Sequence, residues 1–518
     1  MLPQRTTDVI IIGAGPTGLS LACQCVRHGI DFIIIDRHAG ITPYSKAIGV
    51  QARTLEIYEQ LGLADDAVAQ GTRAARGRLV VDGRVRGELE FGAIGAGMSP
   101  YPYVLLLEQS KNERLLYDYL QRSGRDVLWN TELERLSQTA AGVTAHVTTS
   151  DGSSEVIEGK YLAGCDGAKS PTRHALGLAF EGSTFERMFF VADAQVDWEM
   201  PHDALHVCLA PSTFVVFFPL PGERRYRIVG VFPEEFAGAE GDVLYEEIEQ
   251  RIKGEAGIRL DIHHVEWFST YKVHTRHASS FSSGRCFLAG DAAHVHTPAG
   301  AQGMNTGIQD AYNLAWKLGM VLKHGAPATL LDTYNEERLA NAANLLRTTD
   351  RFFQFVSGAH PLVAFLRLNI FPIVANRLTR LDAVRRRVFP TLSQIGITYR
   401  RSSLSEHRGD DRFRVKAGDR MPYLLIDGRS IYDSLHRAAF HWISFSGVRH
   451  DGRRDEFERR YGSLVEVHEL PLTPDVARAF GAGAPFGVLL RPDNYVGCIS
   501  PGTGADSAVA YLDQFVAK

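Results

Sequence analysis

The sequence predicts an α/β fold: a Rossmann-like domain interrupted by a mainly-β insertion and followed by a separate C-terminal α/β unit. Three observations predict it. The apolar run Val9-Ile10-Ile11-Ile12 leads at once into a glycine turn and a helically spaced segment. Between about Phe185 and Tyr271 the apolar spacing becomes that of strands. From Arg285 the strand, glycine turn and helix pattern returns, with Cys286-Phe287-Leu288-Ala289 and a helix from about Met304 to Leu322.

Taken in order, Val9 to Ile12 reads as a strand, Gly15 to His28 as a helix, and Phe32 to Ile35 as a buried strand ending at Asp36. Arg78-Leu79-Val80-Val81 and Arg84 to Leu89 flank Asp82-Gly83, the turn pair of a tight hairpin. The run Gly92-Ala93-Ile94-Gly95-Ala96-Gly97 is read as a loop, because Met98-Ser99-Pro100 interrupts any following helix. Gln109 to Gln121 has helical spacing, and the α/β region ends at Leu162 to Gly167. Ser212 to Leu220 and Tyr226 to Phe232 are strands of the insertion. Long amphipathic helices run to about Leu392, Tyr399 to Arg414 reads as a charged, Ser-rich linker, and Val415 to Lys518 as a small α/β unit.

At roughly 150 residues per domain, 518 residues leave room for three domains. With 45% apolar and 22% charged residues the chain has the composition of an ordinary globular protein. A net charge of -4 and the lack of a basic, aromatic-interleaved stripe argue against nucleic acid. No apolar stretch is long enough to span a membrane, and a strand begins where a targeting peptide would stand. Six scattered cysteines form neither a disulfide framework nor a metal motif, so a cytoplasmic location is expected. His294 and His296, like Cys23 and Cys25, lack the further ligands of a closed metal site, and no metal is expected.

Gly13-Ala14-Gly15-Pro16-Thr17-Gly18 fits the pattern G-x-G-x-x-G between a strand and a helix. There the backbone turns tightly, approaches a pyrophosphate, and offers it the free amides of a helix start. Asp36 ends the second strand at the distance expected of a carboxylate that binds ribose, and Arg37 beside it can pair with phosphate. The alternative is a tight turn with a solvated Asp36.

Gly164-Cys165-Asp166-Gly167-Ala168-Lys169-Ser170-Pro171-Thr172-Arg173 and Gly290-Asp291-Ala292-Ala293-His294 each set an aspartate at a strand end facing a glycine turn. With the first fingerprint, in this order, they resemble the para-hydroxybenzoate hydroxylase family of flavoprotein monooxygenases, class A, from about Asp8 to Asp350. The segments Val415-Lys416-Ala417-Gly418-Asp419-Arg420-Met421-Pro422 and Leu490-Arg491-Pro492-Asp493 are similar, more loosely, to the thioredoxin-like tail of its phenol hydroxylase branch.

The resemblance implies an FAD-binding domain over 1–75, 101–185 and 272–395, a β-sheet substrate domain over 76–100 and 186–271, and a thioredoxin-like domain over 405–518. It assigns cofactor contacts to Gly13, Gly15, Pro16, Thr17, Gly18, Asp36, Arg37, Lys46, Arg53, Gln109, Leu133, Asp166 and Asp291. Asp166 would serve the nicotinamide as well, and Lys46 stands where arginine is frequent. Thr297 to Asn305 matches the loop against the flavin ring, with Pro298, Gly300, Gln302, Gly303, Met304 and Asn305 as contacts and Pro298 next to the reacting atoms. Related phenol hydroxylases have an acidic residue where this chain has Ile48, so no substrate-activating base can be assigned.

The implied reaction is hydroxylation of a phenolic or polycyclic aromatic with NADPH or NADH and O2, through a flavin hydroperoxide that attacks an electron-rich ring. The apolar strand Thr213 to Leu220 would form the other pocket wall, with Val216, Phe218, Pro219 and Tyr226 against a mostly hydrophobic substrate. The tail has no C-x-x-C, so its expected use is packing or subunit contact, as in a homodimer. The rival readings are an FAD-dependent dehydrogenase or oxidase of the same fold, and a non-catalytic protein that binds flavin or an aromatic ligand. Incorporation of oxygen isotope into product separates the first from a hydroxylase.

Overall fold

A computed structural model describes residues 3–43, 47–211, 213–232, 249–250, 253–254, 257–297, 299–357, 360–378, 381–407, 409–446, 457 and 459–515. One sheet is built on the strand Gln4–Ile12. Across it run Cys286–Leu288, Ser154–Gly164, Gln4–Ile12, Phe32–Ile35 and Val127–Leu128, all parallel. Their interior residues are almost wholly apolar, as expected of strands covered on both faces. The register sets Ile12 opposite both Ile35 and Gly164, and Gly164 opposite Leu288. Three motifs far apart in sequence therefore begin at one edge, the carboxyl ends of the strands, where open α/β sheets bind ligands.

Helix Pro16–Arg27 covers this sheet, burying Leu19, Leu21, Ala22, Cys23 and Cys25. It packs against helix Gly303–Lys323, whose residues from Asn305 to Met320 are buried without interruption. Gly307 permits the contact, since a Cβ there would lie 2.2 Å from the Thr17 hydroxyl. A helix so enclosed has no solvent face.

The insertion is an eight-stranded sheet in the order His294–Val295, Leu260–Ala278, Phe180–Trp198, Arg225–Val231, Phe214–Pro219, Leu205–Leu209, Arg76–Val81, Arg84–Glu90. Its last two strands form a hairpin closed by Asp82 at φ 49° and Gly83 at φ 67°, the left-handed pair demanded by a primed turn. The C-terminal sheet runs Val465–Pro471, Phe440–Ser446, Phe486–Leu490, Val496–Pro501; the first pair is parallel and the others antiparallel.

Two expectations are corrected here. Phe91–Gly95, which overlaps the segment Gly92 to Gly97 read as a loop, is a short helix, because Ile94 and Gly95 are buried against Phe389 from a distant helix. The segment read as a linker is anchored by buried residues among exposed ones: Tyr399 accepts a hydrogen bond from Arg338 and Ser402 donates to Glu337. Leu404 joins a core shared by Trp316 and Met320 with Phe440, Trp442 and Leu489. Among the described residues no helix is long and apolar enough to cross a membrane.

Candidate active site

The first turn is built on backbone approach. Gly13 has φ 98°, and a Cβ on it would stand 2.5 Å from the Cys165 carbonyl oxygen. A Cβ on Gly18 would stand 1.9 Å from the Gly13 carbonyl oxygen. Gly15 is the extended N-cap, Pro16 opens the helix, and no side chain caps the first-turn amides. Helix amides left uncapped beside such a turn form an anion site. Asp36 is fixed there by Ala14 N, which donates at 2.6 Å, and by His38 N at 2.8 Å. Thr131 N donates to the Asp36 carbonyl oxygen, bringing the start of the Leu133 strand alongside. Arg37 is exposed at this mouth.

The two other motifs close around the same point. Asp166 accepts hydrogen bonds from Ser170 Oγ and Thr172 N. Arg173, buried, donates to the carbonyl oxygens of Ala168 and Ala292 and so ties the second motif to the third. Asp291 is exposed beside Gly290, which has φ 62° and on which a Cβ would stand 2.4 Å from the Thr17 hydroxyl. Behind them Asp310 accepts from Gly290 N at 3.0 Å and from Arg338 at 2.6 Å, and its other contact is His294 Nε2 at 2.7 Å. Burial would raise the Asp310 carboxyl, but Arg338 and His294 hold it below the usual range. The loop is thus anchored by a fixed negative charge.

On the far side, Gly49 meets Ala301 so closely that a Cβ would lie 2.5 Å from the alanine's. Asn305 locks the contact: its amide nitrogen donates to Gly49 O and Ala301 O, and its oxygen accepts from Gln51 N and Thr54 Oγ1. The Asn305 side chain is therefore spent on the loop, and only its backbone remains for a ligand. Gln51 Nε2 donates to Gly300 O, and Gly300 has φ 77°. Gln302 is the N-cap of helix Gly303–Lys323, followed by Gly303 and Met304; Asn112 Nδ2 lies 3.6 Å from the Met304 sulfur. Gln109 is pinned to Ala47 by bonds in both directions, which holds its helix start against this loop. Gln51 Oε1, His296 Nε2, Thr297 Oγ1 and Gln302 Oε1 are buried polar atoms with no hydrogen-bond partner among the described residues. Burial pushes the His296 ring down to about 4, so it is neutral at pH 7. Buried polar atoms want partners, and this cluster at a helix start fits the polar edge of a planar ring. Lys46 and Pro298 lie outside the described residues.

On the insertion, Phe218 joins Ile48, Leu106 and Leu220 in one apolar cluster, and Ile48 precedes the Gly49 that meets Ala301. Val216 lies on the same strand face. Pro219 and Tyr226, expected on the same wall, lie on the opposite face of the pleat from Phe218: they pair with each other, and Tyr226 is buried against Trp198 and His202. Opposite Phe218 stands Arg227, which sequence reasoning missed. It is fully buried, makes two 2.7 Å bonds to Asp193, and donates to Ala47 O. The alternation Arg225-Tyr226-Arg227 was the available signal, since alternate strand positions share a face. Arg53, expected at the cofactor, has its guanidinium on Glu56 and on the Asp493 carbonyl oxygen and over the rings of Tyr312 and Tyr495, so it ties this unit to the C-terminal domain.

The profile described as "FAD binding domain" matches residues 6–349. 6-Methylpretetramide 4-monooxygenase of Streptomyces rimosus is 32% identical over 98% of this chain and 93% of its own length. A flavin-dependent monooxygenase of Mycobacteroides abscessus is 34% identical over 95% of this chain and 97% of its own. The structure of OxyS anhydrotetracycline hydroxylase from Streptomyces rimosus superposes with a TM-score of 0.78 at 29% identity, covering 99% of both chains. Turn, paired aspartates and ring-side loop fit FAD, and the chain belongs to the FAD-binding-domain family of flavin-dependent monooxygenases.

Proposed function

We propose that this monooxygenase hydroxylates a polycyclic phenol, with NADPH or NADH as reductant and O2 as oxidant. One oxygen atom enters the substrate and the other leaves as water. The observation that carries the substrate class is the apolar cluster of Phe218, Ile48, Leu106 and Leu220 beside the ring-side loop, with Arg227 already neutralised by Asp193. A small carboxylate substrate would need a free cation there. Two similar chains are named for the polycyclic substrates 6-methylpretetramide and anhydrotetracycline, and another for pentachlorophenol, which has a single ring.

Bound FAD supplies the redox chemistry, taking reducing equivalents from the nicotinamide and activating O2 for transfer to an electron-rich ring. The protein's part is binding and orientation. The amides at the helix start, Gly303 and Met304, would stabilise negative charge at the ring edge, where one well-aimed donor contributes about 3 kcal/mol. Gly49 and Ala301 hold their backbones close, and the apolar wall excludes water. Asp36 would hold the ribose, the first helix the pyrophosphate and Asp291 the ribityl or pyrophosphate side, while Asp166 would serve both FAD and the nicotinamide.

The chain divides, in this reading, into the three domains expected from sequence. A thioredoxin-like assignment for the last is supported by its sheet, in which a parallel pair is followed by two antiparallel strands. Its place is against helix Gly303–Lys323. The six buried thiols fit a reducing cytoplasm.

The test is NADPH and NADH oxidation with a panel of polycyclic and monocyclic phenols, with hydrogen peroxide release measured in parallel. Polycyclic phenols should stimulate oxidation with little peroxide and yield a product carrying one atom from labelled O2. Stimulation by monocyclic carboxylates alone would overturn the substrate class.

A further inference from the structure

We propose that His441, Glu466 and His468 form a binding site for one divalent transition-metal ion of the zinc class, in the C-terminal sheet and apart from the flavin. The parallel pairing of Phe440–Ser446 with Val465–Pro471 sets His441 opposite Glu466, with His468 two residues further along the edge strand. Residues two apart share a strand face. The three side chains meet there.

His441 Nδ1 lies 3.0 Å from His468 Nε2 and 3.5 Å from Glu466 Oε2, and all three ligand atoms fall within 4.8 Å of one another. Nitrogen and oxygen ligands at roughly 2.0–2.1 Å around a tetrahedral ion are themselves separated by about 3.3–3.4 Å. The two separations from His441 Nδ1 therefore lie within a few tenths of an ångström of ligating distance before any ion arrives. The His441 Nε2 lies 3.3 Å from the Arg437 carbonyl oxygen, and an N–H donated there leaves the Nδ1 lone pair aimed at the other two groups. Metal-bound imidazoles are oriented in this way by their second nitrogen. Glu466 Oε2 is buried and makes no hydrogen bond.

Two imidazoles and a carboxylate leave a fourth position for water, and the carboxylate side chain, 30% exposed, gives access. Arg27 donates to the carbonyl oxygens of His436 and Arg437, so the same corner is tied to the end of the first helix. An ion here would staple two strands next to a domain contact.

Chelator-treated holoenzyme is titrated with Co2+, read by visible absorbance to the red of the flavin band, and then with Zn2+. One equivalent of tetrahedral cobalt signal, displaced by zinc, is expected. His468→Ala and Glu466→Gln should each weaken binding by more than roughly tenfold while keeping their FAD content. They are chosen because His441 is buried and its loss threatens the fold. Absence of the tetrahedral signal, or titrations of the variants that match the unaltered protein, would overturn the site.

Discussion

Gly13 and Gly18 show how little space the cofactor turn leaves. The Gly18 Cβ position lies 1.9 Å from a carbonyl oxygen, and backbone cannot yield as a flexible side chain can. Gly18→Ala should weaken FAD binding by more than about a hundredfold, ~3 kcal/mol, measured as FAD retained after dialysis and by flavin fluorescence titration. A variant that purifies fully yellow would contradict the cradle. Glu113 is the second residue with a readable consequence. It is buried beside Gln109 and Thr42, and burial, opposed by hydrogen bonds from both and reinforced by Asp36, pushes its carboxyl up from 4.5 to about 7. A raised acid binds more protons folded than unfolded, so its contribution to stability falls as pH rises from about 4.5 to 7 and is constant above. Glu113→Gln should flatten that decline by up to ~3 kcal/mol, seen in melting temperatures taken from pH 5 to 8.

At the scale of elements, the pleat of the insertion separates residues that sequence reading grouped together. Phe218 and Tyr226 sit one ladder position apart on neighbouring strands, yet face opposite sides. Phe218→Ala should raise KM for a polycyclic phenol by roughly tenfold, about 1.4 kcal/mol of lost apolar contact, while Tyr226→Phe leaves KM unchanged. Steady-state oxidation assays on both variants decide it, and equal effects would mean that the wall is misplaced. The βαβ unit, the Asp82-Gly83 turn and the three aspartate motifs were legible because each is written in consecutive residues. The face of Tyr226, the Arg227–Asp193 pair and the destination of Arg53 were not. Each depends on strand register or on a partner hundreds of residues away, such as Asp493 for Arg53. The short helix Phe91–Gly95 escaped for the same reason, being held by Phe389.

For the whole molecule, the C-terminal domain is part of the flavin domain's core and not an appendage. Lys317 and Glu337 are fully buried on two helices of the first unit, and Arg491 from the last unit bonds both oxygens of Glu337. Burial would raise the Glu337 carboxyl, but Arg491 and Lys317 hold it well below the usual range. Asp493 accepts from Trp316 and from Arg491, and its carbonyl oxygen accepts from Arg53. A chain ending at residue 395 would lose Arg491, Asp493 and Tyr399, leaving Arg53, Glu337 and Arg338 short of partners inside apolar surroundings. Removing one partner of such a buried pair costs roughly 3–5 kcal/mol, and uncovering Trp316 and Met320 adds to it. The truncated chain should give no soluble yellow protein, and Arg491→Met in the full chain should lower the melting temperature and speed FAD release. Both are read by absorbance of the soluble fraction and by thermal melts followed through flavin fluorescence. A stable, FAD-loaded 1–395 fragment would show that the shared core is dispensable, and that helix Gly303–Lys323 holds its place in the fold without the tail.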